Sequence, residues 1–292
     1  MGGLTPVAKL DVETPWGKPS SPITVSKTSN GFLVAFLARH GQNHEYTPTT
    51  VPFQANIAAL KSIGVKAIVA FSAVGSLREH IRPRDFVLPS QIIDRTKGIR
   101  ESSFFGTGFV GHVGFGEPFD AELEGIIANH GNALEGEYNG EKSKLHSRYT
   151  EGKGQDLTLV CMEGPAFSTR AESKLYRSWD GYVINMSAIP EAKLAKEAEI
   201  SYQMVCMSTD YDAWKDDEEP VTVETVVGNL KANGKNAENL MVAMLPDLEH
   251  ALTDGSLGAN LRGSIKFALS TAPAGVNKEL KKKLDFLHPG YW

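Results

Sequence analysis

The sequence predicts an α/β fold, a single domain with a central mixed sheet flanked by helices. Three observations point to it. Short runs rich in β-branched and aromatic residues recur, and several are apolar nearly throughout rather than alternating, as strands covered on both faces are. Segments with helical spacing of apolar residues fall between them. At 292 residues, 41% hydrophobic and 22% charged, the chain is long enough to bury a sizeable core without a disulfide framework.

The strands expected are residues 32–38, 67–71, 86–88, 157–162, 182–186 and 202–207. Helical spacing is clear over 53–63, where Ile57, Leu60 and Ile63 share one face. It recurs over 119–129, 168–178 and 188–199, the last carrying Ile189, Leu194 and Ala195. The longest helical candidate is 221–244, weakened in its middle by Gly228 and Gly234. The polar, glycine-rich stretch 131–154 reads as an exposed insertion loop. Residues 275–292 read as a C-terminal extension, a basic helix ending in an aromatic Pro-Gly segment that anchors it. No internal repeat or interdomain linker interrupts the chain, so 1–292 reads as one domain.

Lys and Arg total 30 against 35 Asp and Glu, a formal charge of −5. A mild acidic excess without a basic block argues against a nucleic-acid or membrane-surface partner. No apolar run approaches the roughly 18 residues of a membrane span, and no basic-then-apolar leader opens the sequence. Cys161 and Cys206 both lie inside apolar runs and read as reduced, buried thiols. The expected compartment is the cytoplasm, with the nucleus as a further one.

Polar residues gather where strands end. The first strand runs into Arg39-His40-Gly41, the second into Ser72-Ala73-Val74-Gly75-Ser76, and the fourth into Glu163-Gly164-Pro165. The fifth runs into Asn185-Met186-Ser187 and the sixth into Ser208-Thr209-Asp210-Tyr211-Asp212. In α/β sheets ligands bind beyond the carboxyl ends of strands, so five separate segments deliver polar groups to one crevice. Arg39 offers a planar fork for a phosphate or carboxylate, and His40 a second donor. Ser72, with backbone N–H groups of a turn that Gly75 permits, makes an anion cradle without a P-loop lysine. Ser187 adds a hydroxyl. Asp210 and Asp212, two residues apart past a strand end, suit acid/base or hydrogen-bonding work on a polar heterocycle. An anion pocket beside a carboxylate pair suits group transfer to phosphate.

Other patterns read as decoys. Gly106-Thr107-Gly108-Phe109-Val110-Gly111 fits a dinucleotide-binding spacing, but no good strand precedes it and no helix opens on it, so a mobile glycine-rich loop is expected. His40 and His44 are four apart, yet Gly41 and the strand-end position argue against a zinc helix. His112 sits in the glycine loop and reads as solvent-facing unless a substrate covers it. The acidic run 216–219 lacks the glycine and final Glu of a calcium loop and reads as a solvated helix approach or lid. No metal site is expected.

At these positions the sequence resembles a known family. Leu37-Ala38-Arg39-His40-Gly41, Ser76-Leu77-Arg78-Glu79, Ile93-Asp94-Arg95-Thr96, Met162-Glu163-Gly164-Pro165, Ile184-Asn185-Met186-Ser187 and Thr209-Asp210-Tyr211-Asp212-Ala213-Trp214 closely resemble the methylthioadenosine phosphorylases of the purine nucleoside phosphorylase superfamily. The likeness runs in order from about residue 12 to about residue 270, interrupted by 131–154. It implies a homotrimer that cleaves methylthioadenosine with phosphate, giving adenine and 5-methylthioribose 1-phosphate, with phosphate as co-substrate and no metal or organic cofactor. It implies phosphate on Arg39, His40, Ser72, Ser187 and the backbone of Ala73. Met186, Phe167 and Ser168 would line base and ribose, and Asp210 and Asp212 would face adenine, with Asp210, Asp212 and Ser187 as the catalytic set. Val223 and Val226 would surround the methylthio group, with His112 reaching in from a neighbouring subunit. The family opens with a strand and a glycine-rich turn carrying a phosphate-binding Ser or Thr; Met1-Gly2-Gly3-Leu4 falls within that turn, so the first strand reads as truncated. Ala166 stands where the family has Arg. The alternatives are an impaired homologue lacking that first phosphate loop, a phosphorylase of 6-oxopurine nucleosides, and a dinucleotide-binding protein resting on the glycine loop alone.

Overall fold

The structure is a computed structural model that describes residues 3–152, 154–216 and 221–292. Strands β1 (Thr5–Leu10), β2 (Ile23–Lys27) and β3 (Leu33–Phe36) form a small antiparallel sheet in that order. Helix α1 (Phe53–Ser62) leads into β4 (Ala67–Ser76), followed by the short strands β5 (Phe86–Val87) and β6 (Gln91–Asp94). After α2 (Ala121–Ala128) come the hairpin β7 (Glu137–Tyr138) and β8 (Glu141–Lys142), then β9 (Leu145–His146). The chain continues through β10 (Thr158–Cys161), α3 (Arg170–Ser178), β11 (Gly181–Asn185), α4 (Ala188–Glu197), β12 (Ser201–Asp210), α5 (Val223–Thr253) and α6 (Lys278–Leu287). Among the described residues no helix is long and apolar enough to cross a membrane.

Seven strands make the central sheet, in the order β6-β10-β11-β4-β12-β5-β9. It is mixed: β10 runs parallel to β6 and β11, β12 parallel to β4, and β9 parallel to β5, while β11–β4 and β12–β5 are antiparallel. All ten residues of β12 are buried, which explains its near-continuous apolar run. Successive residues on a strand face opposite sides. Accordingly Met204 and Cys206 join a core with residues of α1, α4 and α6, whereas Val205 and Met207 join one with residues of α2 and α5. The sheet is thus covered on both faces.

Local signals set several boundaries. Thr169 and Glu172 form a reciprocal capping box that starts α3, two residues later than periodicity suggests. Asp120 accepts from the backbone of Glu122 and Leu123 and starts α2.

Four expectations need correction. Residues 32–38 supply β3 of the small sheet, not a central strand, because β2 rather than β4 takes its backbone bonds. β4 does not stop at Phe71 but runs on through Ser72 to Ser76, since β12 pairs with it as far as Gly75. Segment 131–154 is no exposed loop throughout: Leu134, Ser143, Leu145, His146 and Ser147 are buried, and β9 closes one edge of the central sheet. The 106–111 glycine stretch is a pinned turn. Gly106 and Phe109 exchange backbone hydrogen bonds, Phe109 is fully buried, and Trp292 packs edge-on against Phe105 and Phe109. Among the described residues no strand leads into that turn and no helix opens on it, so a dinucleotide has no cradle there.

Candidate active site

The site is built along β4. Near its middle, Phe71 is met by Arg39, whose Nη1 donates to the Phe71 carbonyl at 3.1 Å. The fork itself is taken: Nε and Nη2 donate to the two carboxylate oxygens of Glu191 at 2.6 and 2.8 Å. Tyr202 also donates to Glu191, at 2.8 Å. Burial works against the Arg39 charge, but Glu191 outweighs it and raises the guanidinium pKa. The planar fork read as open to an anion is therefore closed by a carboxylate, and of five N–H donors one on each Nη remains.

One residue further, Ser72 meets Ser187. Their hydroxyl oxygens lie 3.4 Å apart, and Asn185 Nδ2 reaches both, at 3.2 and 3.4 Å. Ser72 donates to the Ala73 carbonyl at 3.0 Å. Ser187 directly precedes α4 and makes no side-chain cap bond, and the backbone departs from helical at Ile189 two residues on. His40 lies outside this pair. Its Nδ1 is 2.9 Å from the Tyr46 carbonyl, which fixes the proton on Nδ1, and its ring stacks on His44. Burial first, with Arg39 and His44 adding to it, lowers its pKa, so the ring is neutral with Nε2 as an acceptor.

At the end of β4, Gly75 touches the carboxylate pair. A Cβ there would stand 3.0 Å from Asp210 Oδ1 and 3.2 Å from Asp212 Cβ, so a side chain would push the acids back by a few tenths of an ångström. Asp210 Oδ1 accepts from the Asp212 N–H at 2.8 Å, and Oδ2 from the Thr209 hydroxyl at 2.7 Å. Burial, with the neighbouring Asp212 charge, pushes the Asp210 carboxyl up to about 6 despite these donors. Asp212 holds a left-handed backbone, φ +51°, unusual for a residue with a side chain. Burial raises its pKa too, against the Ser173 and Ser168 hydroxyls and the Ala213 N–H, and its Oδ2 has no hydrogen-bond partner among the described residues. A buried acceptor without a donor is costly unless a ligand supplies one.

From Phe71 to Gly75 is four residues of strand, about 13 Å. Arg39, Ser72 and Ser187 stand at one end of this line and Asp210 and Asp212 at the other. Met186 flanks it, its Sδ so close to Gly164 that no Cβ fits there. Ser168 is buried beside Met162, and Val226 is half-buried on the α5 face whose Asn229 and Asn233 donate to the Thr209 and Ser208 carbonyls. Three candidates are not gathered in: Phe167 is 42% exposed, Val223 is 69% exposed, and His112 is exposed on a turn tied to the Ala268 carbonyl. Of the acidic run, Asp216 pairs with Lys174 and Arg170, while 217–219 lie outside the described residues.

Sequence reasoning missed Glu191, Asn185 and Arg100. Arg100 is buried and its Nη atoms donate to the carbonyls of Met186, Ile189 and Glu163 at 2.6–2.7 Å, tying two site loops together. Asn185 stands inside one of the strand-end motifs, and its place between two serines is the available signal. Nothing in the sequence marks Glu191 or Arg100, whose partners are 152 and 63 to 89 residues away.

Comparison with known proteins points to one family. The phosphorylase superfamily model matches residues 2–246. The S-methyl-5′-thioadenosine phosphorylase of Yarrowia lipolytica is 68% identical over 292 residues, covering 100% of this chain and 89% of its own. Among solved structures, a methylthioadenosine phosphorylase from an antarctic soil metagenomic library aligns with a TM-score of 0.85 at 38% identity, over 99% of this chain and 94% of its own. The methylthioadenosine phosphorylase of Schistosoma mansoni in complex with adenine gives 0.82 at 28% identity, over 92% and 95% of the two chains.

Proposed function

The chain belongs to the phosphorylase superfamily, and from that premise we propose that it cleaves 5′-methylthioadenosine with orthophosphate to adenine and 5-methylthioribose 1-phosphate. The observation that carries this is the line along β4, with hydroxyl and N–H donors at one end and two buried acids at the other. The relatives' names supply the nucleoside.

In the proposed reaction a phosphate oxygen held by Ser72, Ser187 and the remaining Arg39 donors attacks C1′ of the ribose. The C1′–N9 bond breaks, and its electron pair passes into the purine. Protonated Asp210 gives its proton to N7, so adenine leaves neutral, and water later returns a proton to the carboxylate. Charge on the departing base is thus neutralised as it develops, where stabilisation of the transition state counts most. A carboxyl pushed up to about 6 holds its proton close enough to neutrality to serve as a general acid. Asp212 Oδ2, an acceptor with no partner among the described residues, suits the exocyclic amine of adenine. A 6-oxopurine presents an acceptor there, which disfavours the inosine-type alternative.

Val226 offers an apolar wall to the methylthio group, where a free 5′-hydroxyl would be left unpaired. We assign His112 to the 5′ pocket of a neighbouring subunit in a homotrimer; its place on a pinned turn outside its own cleft suits a group that works across an interface. Phosphate and one carboxyl proton account for every atom transferred, so the proposal calls on no further cofactor. The test is adenine release from methylthioadenosine with and without phosphate. Phosphate-dependent adenine is expected; release that ignores phosphate, or turnover of inosine at a comparable rate, overturns the reading.

A further inference from the structure

Away from this cleft, the loop after β4 meets the segment containing β9. His80 Nε2 lies 3.1 Å from Glu151 Oε2, and His146 Nδ1 lies 2.6 Å from Glu151 Oε1. One ligand atom from each of His80, His146 and Glu151 lies within 4.8 Å of the others. Two imidazoles and a carboxylate, with a further position left for water, are the donor set of an open tetrahedral zinc site, whose neighbouring ligand atoms stand about 3.4 Å apart at bond lengths of about 2.1 Å. To seat an ion the 2.6 and 3.1 Å contacts open slightly, and any longer separation, none above 4.8 Å, draws in.

The surroundings fit that use. The other ring nitrogen of His146 points to Asp85 at 3.3 Å. Asp85 is fully buried and fixed by the N–H groups of Arg82 and Lys144 at 3.0 and 2.9 Å. A carboxylate held behind a histidine in this way keeps the proton on Nε2 and leaves Nδ1 to a metal. His146 and Glu151 are themselves buried or nearly so, whereas the His80 side chain is half exposed, which gives an ion a way in and a place for its water.

We propose that His80, His146 and Glu151 bind one divalent transition-metal ion of the zinc class, with Asp85 positioning His146. Binding displaces the proton that His146 Nδ1 shares with Glu151. The ion staples the loop 77–85 to the segment 143–151. That loop also holds the segment carrying the acid pair: its Glu79 carbonyl accepts from Tyr211, between the two acids, and its carboxylate pairs with Lys215 just after them, so the staple stiffens that segment. The site is separate from the proposed reaction and takes no step in it.

The experiment titrates Zn²⁺ alone into the metal-stripped full chain by calorimetry, with Co²⁺ as an optical probe of coordination and the melting temperature read beside it. The same is done on His80→Ala and Glu151→Gln; the first removes a half-exposed ring and the second keeps the carboxylate's shape, so loss of folding confuses neither. Expected are one ion per chain, the visible bands of a four-coordinate Co²⁺ site, a higher melting temperature with Zn²⁺, and affinity weakened in both variants by more than the roughly ten- to hundredfold that losing an outer-shell partner costs. No stoichiometric binding overturns the proposal. So does binding that both variants retain undiminished, which would move the ion elsewhere, such as to the stacked pair His40 and His44.

Discussion

Replacing Asp210 with asparagine removes a proton and little else. The carbonyl oxygen of the introduced amide can still accept from the Asp212 N–H, now 2.8 Å from Oδ1. Thr209, which donates to Oδ2 at 2.7 Å and to the Val74 carbonyl at 3.2 Å, can keep the second bond and accept from the new amide. The fold should therefore survive, with a melting temperature close to the parent's. An amide can donate a hydrogen bond to N7 but cannot protonate it. General acid catalysis contributes about 10²–10⁴ in rate, so kcat should fall by that factor, about 3–5 kcal/mol of barrier, with KM changed far less. The pH profile should change as well. With the Asp210 carboxyl pushed up to about 6, the parent loses its proton donor as pH rises through that value, and the substitution abolishes this limb. The assay is adenine formation from methylthioadenosine at saturating phosphate across pH. A kcat within about threefold of the parent, or an unchanged alkaline limb, refutes the role of Asp210 as acid.

Gly75→Ala places a methyl 3.0 Å from Asp210 Oδ1 and 3.1 Å from Ile184 Cγ2, so the acid must shift by a few tenths of an ångström. We expect kcat/KM to fall by up to about a hundredfold, with a stability loss of about 1–3 kcal/mol by urea titration. Glu191→Gln strips the counter-charge from a buried Arg39 and should destabilise the protein by about 3–5 kcal/mol; an unchanged unfolding midpoint would show that water reaches the guanidinium. Glu197 concerns stability and pH. Burial pushes its carboxyl up to about 7, against the donors Ser103 and Phe104 and the charge of Lys193, so the native state holds this proton more tightly than the unfolded chain. Its contribution is fully present below the ordinary value of 4.5 and is lost as pH rises through about 7. Glu197→Gln should therefore match the parent in acid and exceed it by about 3 kcal/mol at about pH 8; parallel stability curves would contradict this.

Much of the site was legible because strand ends are. Ser72, Ser187, Asp210 and Asp212 each follow an apolar run, and the sheet rule alone sends them to one crevice. What the sequence hides are partners chosen by tertiary packing. Arg39 reads as a free fork until Glu191 arrives from α4, and Arg100 carries no signal in the sequence, since the carbonyls it holds lie far along the chain. The fold divides similarly. The buried β12 announces itself by composition, whereas β1, exposed along nearly its whole length, carries no apolar signal to betray it. β9 is two residues long and sits in a polar, glycine-rich stretch, so only its neighbour β5 makes it a strand. β4 reads too short because its last five residues, Ser72 to Ser76, are mostly small, with a serine at each end and a glycine among them; β12 holds them extended.

The measurement that bears most directly on the account is a crystal structure of the chain grown with adenine and orthophosphate together. The account predicts adenine N7 within hydrogen-bonding reach of Asp210, its amine on Asp212, and phosphate against Ser72 and Ser187 at the other end of β4. Adenine bound away from the two acids, or phosphate in a cleft that does not adjoin theirs, would contradict it.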